Sequence, residues 1–229
     1  MKNFEKTQPF YQAFIFDMDG TIVSTVEDIC DAVNYSLRLH KLDEISYEEC
    51  TSYLGNGSVK LIQRAMHFLH QEIFQEVFDD YYQYYLKHDV VKTKPYDGLL
   101  ENLIKAKKRG IKLFIYTNKP EKIALEIVKH AFPDNLFDMM VGIPLGGKTK
   151  PDKEAFVTAV KDYHLDYSRC AYFGDSTTDL ETAKNLQVKT TVTVLWGYDK
   201  EDKLKSYPIQ PDVYLLSPVE IESFVEMSI

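Results

Sequence analysis

Phe14-Ile15-Phe16-Asp17-Met18-Asp19-Gly20-Thr21 is the stretch from which the rest of the chain is read. An apolar run that begins at Ala13 stops at two aspartates, a glycine and a threonine. A short apolar run bounded by turn residues reads as a buried strand of a parallel sheet. The aspartates then stand at the C-terminal edge of that strand, where open α/β sheets place their ligands. Alternate residues of a strand point the same way, so Asp17 and Asp19 would face one site. Two neighbouring carboxylates repel, and burying both is costly unless a metal or a proton relieves them. Taken alone, the stretch also reads as a strand that ends in an ordinary polar turn.

Downstream the pattern turns helical. Ile29, Val33 and Leu37 lie at helical spacing within 26–40. Ser46-Tyr47-Glu48-Glu49 matches a capping box that opens a second helix. After the break at Leu54-Gly55-Asn56-Gly57-Ser58, helices are expected over 59–69 and 72–87. No strand signal separates them, so residues 24–91 read as a small helical bundle inserted into a core of 1–23 and 92–229. Tyr81, Tyr82, Tyr84 and Tyr85 are expected to pack that bundle or its contact with the core.

From Pro95 onward strands and helices alternate. Strands are expected over 111–116, 137–141, 170–173, 190–195 and 213–215. Helices are expected over 99–109, 120–130, 152–163 and 180–186, and Ser217-Pro218-Val219-Glu220 caps a last one. Such alternation predicts an α/β fold with a doubly wound parallel sheet.

The strand ends carry complementary chemistry. Strand one offers Asp17 and Asp19, the 111–116 strand ends at Thr117-Asn118, and the 170–173 strand leads to Asp175 and Asp179. The loop Gly146-Gly147-Lys148-Thr149-Lys150-Pro151 adds lysines. A cluster of carboxylates suits a hard cation such as Mg²⁺, and hydroxyl, amide and ammonium donors suit phosphoryl oxygens. A carboxylate can also attack phosphorus to give an aspartyl-phosphate.

Composition narrows the classes. With 229 residues and 45% hydrophobic content, the chain suits one large domain or a core with an insert. A formal net charge of −8 argues against nucleic-acid binding. Cys30, Cys50 and Cys170 lack CxxC spacing, and the 6 histidines make no HExxH pattern. Lys2 and Lys6 are followed by no signal-type apolar run, and no apolar segment is long enough to span a membrane. A cytoplasmic protein without a membrane partner, monomeric or homodimeric, is expected.

Together, Asp17-Met18-Asp19-Gly20-Thr21, Thr117-Asn118, the lysine-proline loop and Gly174-Asp175-Ser176 with Asp179 resemble the haloacid dehalogenase superfamily in its phosphatase branch. The resemblance runs from strand one to the 190–195 strand. Leu54-Gly55-Asn56-Gly57 and Thr117-Asn118-Lys119-Pro120 are similar to phosphoglycolate phosphatases in particular. The resemblance implies a Mg²⁺-dependent phosphatase acting on a small phosphorylated metabolite. It makes Asp17 the nucleophile and Asp19 the acid/base, with Asp17, Asp19 (through its backbone carbonyl), Asp175 and Asp179 at the metal. It gives Thr117 and Asn118 to the phosphoryl group, and residues 24–91 become a cap. A phosphosugar mutase of the same superfamily is the alternative. The family's lysine falls on Lys148 in the preferred alignment, which matches Pro151-Asp152 to its proline-acid pair and lets Pro151 open the following helix, leaving Lys150 solvated; the other alignment nominates Lys150. Asn56 would present its amide to the leaving group, or else sit in a plain turn between helices. Ser24 and Leu186-Gln187 depart from the family's usual residues.

Overall fold

The computed structural model describes residues 10–88, 90–144 and 147–227; Lys2, Lys6 and Gly146 lie outside the described residues. In chain order the elements are β1 (Ala13–Phe16), β2 (Val23–Ser24), α1 (Val26–Leu39), α2 (Tyr47–Tyr53), α3 (Ser58–Ala65) and α4 (Phe74–Lys87). Then come β3 (Lys94–Pro95), α5 (Leu99–Lys108), β4 (Lys112–Pro120), α6 (Glu121–Ala131), β5 (Met139–Ile143) and α7 (Glu154–Ala159). The chain closes with β6 (Cys170–Gly174), α8 (Thr177–Leu186), β7 (Thr190–Val194), α9 (Glu201–Ser206), β8 (Val213–Leu215) and α10 (Glu222–Glu226).

Among the described residues, a parallel six-stranded sheet runs β5-β4-β1-β6-β7-β8. β1 sits near its middle because all four of its residues are apolar and can be buried on both faces. Phe14 and Phe16 join the cluster that also takes in α5, α6 and α10, whereas Ala13 and Ile15 join the one with α7 and α8. Helices therefore cover both faces, as the alternating pattern predicts. The chain winds from β1 to β4 and β5 on one side, then from β6 to β7 and β8 on the other. That reversal opens a crevice beside β1 at the carboxyl edge. The register pairs Phe16 with Ile115 and with Phe173, so the residues after all three strands emerge side by side.

Helices α1 to α4 leave and rejoin this core through β2 and β3, an antiparallel pair joining Val23 to Pro95 and Ser24 to Lys94. α1 packs on α4, and α2 and α3 complete the group. Tyr81, Tyr82 and Tyr85 are buried within it, and Tyr84 stacks on Tyr35.

Several boundaries differ from the sequence pattern. The third helix stops at Ala65 instead of continuing to Leu69, because His67 and Phe68 take left-handed backbone angles (φ 50 and 58). Phe68 and Leu69 consequently end up exposed. α7 is shorter than the expected 152–163 helix and is continued by a 3₁₀ turn at Lys161–Tyr163. α8 starts at Thr177, earlier than expected, because Ser176 and Asp179 form a capping box. Gln187 ends that helix at φ 58, the conformation a glycine favours. β2, β3 and α9 are too short to leave a periodic signal.

Candidate active site

The site begins where β1 runs out. The Asp17 N–H donates to the Phe173 carbonyl at 2.9 Å, which carries the sheet one residue past the strand. The chain then turns at Gly20, whose φ is +85, and a Cβ there would collide with the Asp175 carboxylate. This close approach is what allows Asp17 and Asp175 to share one small volume.

Asp17, Asp175 and Asp179 are all buried, and one oxygen from each lies within 4.8 Å of the others. Lys150 supplies the cation. Its side chain is 2% exposed, and Nζ donates to Asp17 Oδ1 at 2.6 Å and to Asp179 Oδ1 at 2.7 Å. Asp179 also accepts from the Tyr172 hydroxyl (2.9 Å) and from the Ser176 hydroxyl and N–H (2.6 and 3.1 Å). Its oxygens thus fix Lys150 and cap α8 at once. Asp175 accepts from the Thr21 hydroxyl at 3.1 Å and the Tyr198 N–H at 2.7 Å, and among the described residues it is paired with no ammonium.

One ammonium among three buried carboxylates leaves a surplus of negative charge. Burial pushes the Asp17 carboxyl up to about 7, with Lys150 opposing and Asp179 adding to the rise. Burial also raises Asp175 well above the usual carboxylate range, and the charges of Asp17 and Asp179 add to it. For Lys150, burial works against the charged form, but Asp17 and Asp179 outweigh it and hold its pKa above the usual lysine value. Carboxylate oxygens alone, crowded and under-neutralised, fit a hard divalent cation.

Asp19 lies two residues after Asp17, just before the Gly20 turn. Its Oδ1 accepts from the Thr25 hydroxyl at 2.6 Å and from Lys119 Nζ at 2.9 Å. Its side chain is not in the carboxylate cluster. Thr117 is buried beside it, and its Oγ1 accepts from the Lys119 N–H at 3.2 Å, so its own proton is free to donate.

Lys148 does not reach the site. It is 67% exposed and pairs with Glu154 at 2.6 Å and Asp152 at 3.4 Å. The alignment that selected it supposed that Pro151 opens a helix, but α7 begins at Glu154. Buried carboxylates demand a buried counter-ion, and Lys150 fills that place. Asn56 stands between α2 and α3. Its amide donates to Thr178 at 3.2 Å and accepts from Arg64 at 2.7 Å, so both ends are engaged outside the pocket. The flanking Gly55 and Gly57 line the pocket in its stead. Asn118 lines it too, yet its amide donates to the Gly55 carbonyl (3.0 Å) and accepts from the Lys150 N–H (2.6 Å). It ties the inserted helices to the lysine loop.

Two contributors went unnoticed in the sequence. Lys119 stood inside the Thr117–Pro120 motif, where a lysine adjoining an apolar strand was a usable signal. Tyr198 left none; its hydroxyl accepts from the Thr25 N–H at 2.7 Å, and its position depends on how the loop after β7 folds back.

The chain matches the model of the haloacid dehalogenase-like hydrolase family over residues 14–193. It is 30% identical over 189 residues to a phosphoglycolate phosphatase of Aquifex aeolicus, covering 82% of this chain and 87% of the relative. It is 26% identical to a phosphoglycolate phosphatase of Agrobacterium fabrum, covering 96% of each. A solved structure of a predicted phosphoglycolate phosphatase from Haemophilus somnus superposes with TM-score 0.82 at 25% identity, over 93% of this chain and 97% of that one. Among the described residues no helix is long and apolar enough to cross a membrane. With the matched region holding every strand end that builds the site, the chain belongs to the haloacid dehalogenase-like hydrolases and is phosphoglycolate-phosphatase-like among them.

Proposed function

We propose that the chain is a Mg²⁺-dependent phosphatase that hydrolyses a small phosphorylated metabolite of the phosphoglycolate kind through a phosphoryl group carried on Asp17. The observation that carries this reading is the Asp17–Lys150 pair beside Asp175, at the edge where three strands end together. Lys150 occupies one oxygen of Asp17 and leaves Oδ2 for attack on phosphorus. The bond from Asp17 to phosphorus forms as the ester oxygen leaves, and Asp19 protonates that oxygen. Asp19 then takes a proton from the water that attacks the phosphoryl group, and phosphate departs with Asp17 regenerated.

The remaining residues position and neutralise, which is most of what phosphoryl transfer requires. The Thr117 hydroxyl holds a phosphoryl oxygen. Lys150 offsets repulsion between nucleophile and phosphate. Asp17, Asp175 and the Asp19 carbonyl would hold Mg²⁺, with Asp179 in support through Lys150. When bound, Mg²⁺ would offset the phosphoryl charge. Residues 24–91 would act as a cap over the leaving group, and Gly55 bonded to Asn118 would be its closed contact. The three cysteines are free, which supports a cytoplasmic, reducing setting.

A panel of phosphomonoesters with Mg²⁺ tests the reading. Release of phosphate from 2-phosphoglycolate that stops in chelator and returns with Mg²⁺ is the expected result. Conversion of glucose 1-phosphate to its isomer without phosphate release would replace the reading with the mutase alternative.

A further inference from the structure

Cys30 on α1 and Cys50 on α2 stand directly behind the pocket. Ile29, the residue before Cys30, and Thr51, the residue after Cys50, both line it. Asn34, one turn after Cys30, fixes how the two helices meet. Its amide donates to the Ile45 carbonyl at 2.9 Å and accepts from the Ile45 N–H at 2.9 Å, which locks the entry to α2 against α1. From that level α2 runs back along α1, and one turn in, the Cys50 side chain meets that of Cys30 in a hydrogen bond. The Asn34 amide also reaches the Cys30 sulfur, at 3.6 Å.

The thiols are unequal. Cys30 is 8% exposed, whereas Cys50 and Cys170 are wholly buried. The Cys50 thiol donates to Cys30 and holds the Cys30 pKa below the usual thiol value, against the effect of burial. The same hydrogen bond first, and burial second, keep Cys50 well above that value, and burial pushes Cys170 up to about 12. Thiol oxidation starts at a sulfur that is reachable and has thiolate character. Cys30 meets both conditions. Cys50 meets neither, but it lies where a resolving thiol must lie, facing the attacked sulfur from the adjoining helix.

We propose that Cys30 and Cys50 form a peroxide-reactive dithiol whose disulfide clamps α1 to α2 behind the pocket. In the first step the Cys30 sulfur bonds to one oxygen of hydrogen peroxide and the O–O bond breaks. The other oxygen leaves as water with the Cys30 proton, and Cys30 becomes a sulfenic acid. The Cys50 sulfur then bonds to the Cys30 sulfur, and the hydroxyl leaves as water with the Cys50 proton. One peroxide is reduced to two waters, and two thiols are oxidised to one disulfide. In a reducing compartment such a bond is transient, because exchange with small thiols reverses it. Closing it draws the sulfurs to roughly 2 Å, and the backbones that carry Ile29 and Thr51 shift with them. The crosslink is independent of the phosphatase reading; its effect on KM rests on that reading.

The test treats the reduced, full-length protein with hydrogen peroxide, blocks the remaining thiols under denaturing conditions, and maps the peptides without reduction. Two of the three thiols should be lost. The peptide with Cys30 should be joined to the peptide with Cys50, Cys170 should stay blocked as a free thiol, and dithiothreitol should return both. In Cys50→Ala protein the same dose should leave Cys30 as a sulfenic acid that dimedone captures, and in Cys30→Ala protein it should leave Cys50 unreacted. Mapping of the wild type decides the matter even where a variant fails to fold. Both thiols still free at a dose that fully oxidises glutathione would overturn the proposal, as would a link to Cys170 or an over-oxidised Cys30 beside a free Cys50. Kinetics with 2-phosphoglycolate and Mg²⁺ should show a shift in KM on oxidation that dithiothreitol reverses. An unchanged KM in crosslinked protein would overturn the coupling to the pocket. Hydrolysis of no phosphomonoester by the reduced protein would overturn the phosphatase reading, while the peptide map would still decide the crosslink.

Discussion

Lys150 donates its ammonium to Asp17 at 2.6 Å, from a loop that approaches the end of β1 across the sheet edge. The same ammonium is held at 2.7 Å by Asp179, so the nucleophile candidate and the first turn of α8 share one cation. Removing it leaves two buried carboxylates unneutralised. Lys150→Ala should cost about 3–5 kcal/mol of stability by the usual penalty for breaking a buried pair. It should also lower kcat/KM by roughly 10²- to 10³-fold, as loss of a transition-state donor does. Lys148→Ala, at an exposed position, should leave turnover near the wild-type value. Chemical denaturation and steady-state kinetics of the two variants check this, and the reverse pattern would return the role to Lys148.

How much of this was readable beforehand depends on where each residue sits. Asp17 and Asp175 follow buried strands and Thr117 lies in the irregular last part of β4, and strand runs are legible as apolar stretches with abrupt polar ends. Parallel pairing then brings those ends together without further information. The lysine was harder because two candidates lie two residues apart in a loop. Only the tertiary demand of Asp17 and Asp179 for a counter-ion selects between them. Asn56 is a similar case: its flanking glycines allow either an amide turned to the leaving group or a plain turn, and only tertiary packing pairs that amide with Thr178 and Arg64. The burial of Lys119 depends on α4 closing over the core, which no local pattern records.

Asn118 bridges the Gly55 carbonyl and the Lys150 N–H. Asn118→Ala should leave the buried Lys150 N–H without a partner and cost about 1–3 kcal/mol. It should also raise KM, because the loop at Gly55 loses its tie to the core. Unfolding in urea together with Michaelis kinetics would show both effects; a variant unchanged in each would contradict the bridging role.

The carboxylate cluster should make stability depend on pH and on metal together. In the folded chain without a cation, Asp17 titrates near about 7, whereas in the unfolded chain it titrates in the ordinary carboxylate range. Between those limits the folded state keeps a proton that the unfolded state releases. The contribution to stability is therefore fully present below the ordinary range and lost as pH rises through about 7. Chelated protein should lose melting temperature across that window, and saturating Mg²⁺ should return most of the loss at pH 8. Melting curves that Mg²⁺ leaves unmoved at pH 8 would contradict a cation site at this cluster.

Gly20 has a φ of +85 and sits against the Asp175 carboxylate. Gly20→Ala should impose about 1–2 kcal/mol of backbone cost and displace Asp175 in addition. The expected outcome is weakened divalent-cation binding, measured by calorimetry, alongside lower stability. Wild-type affinity in a folded Gly20→Ala protein would show that Asp175 does not need this close approach.

The central claim is that Asp17 carries the phosphoryl group. The most direct measurement is rapid acid quenching of enzyme mixed with radiolabelled 2-phosphoglycolate and Mg²⁺, followed by mapping of the protein-bound label. The label should appear on the peptide that contains Asp17, be released by hydroxylamine, and be absent from Asp17→Asn protein. Label on a peptide without Asp17, or repeated turnover by Asp17→Asn protein, would contradict the account.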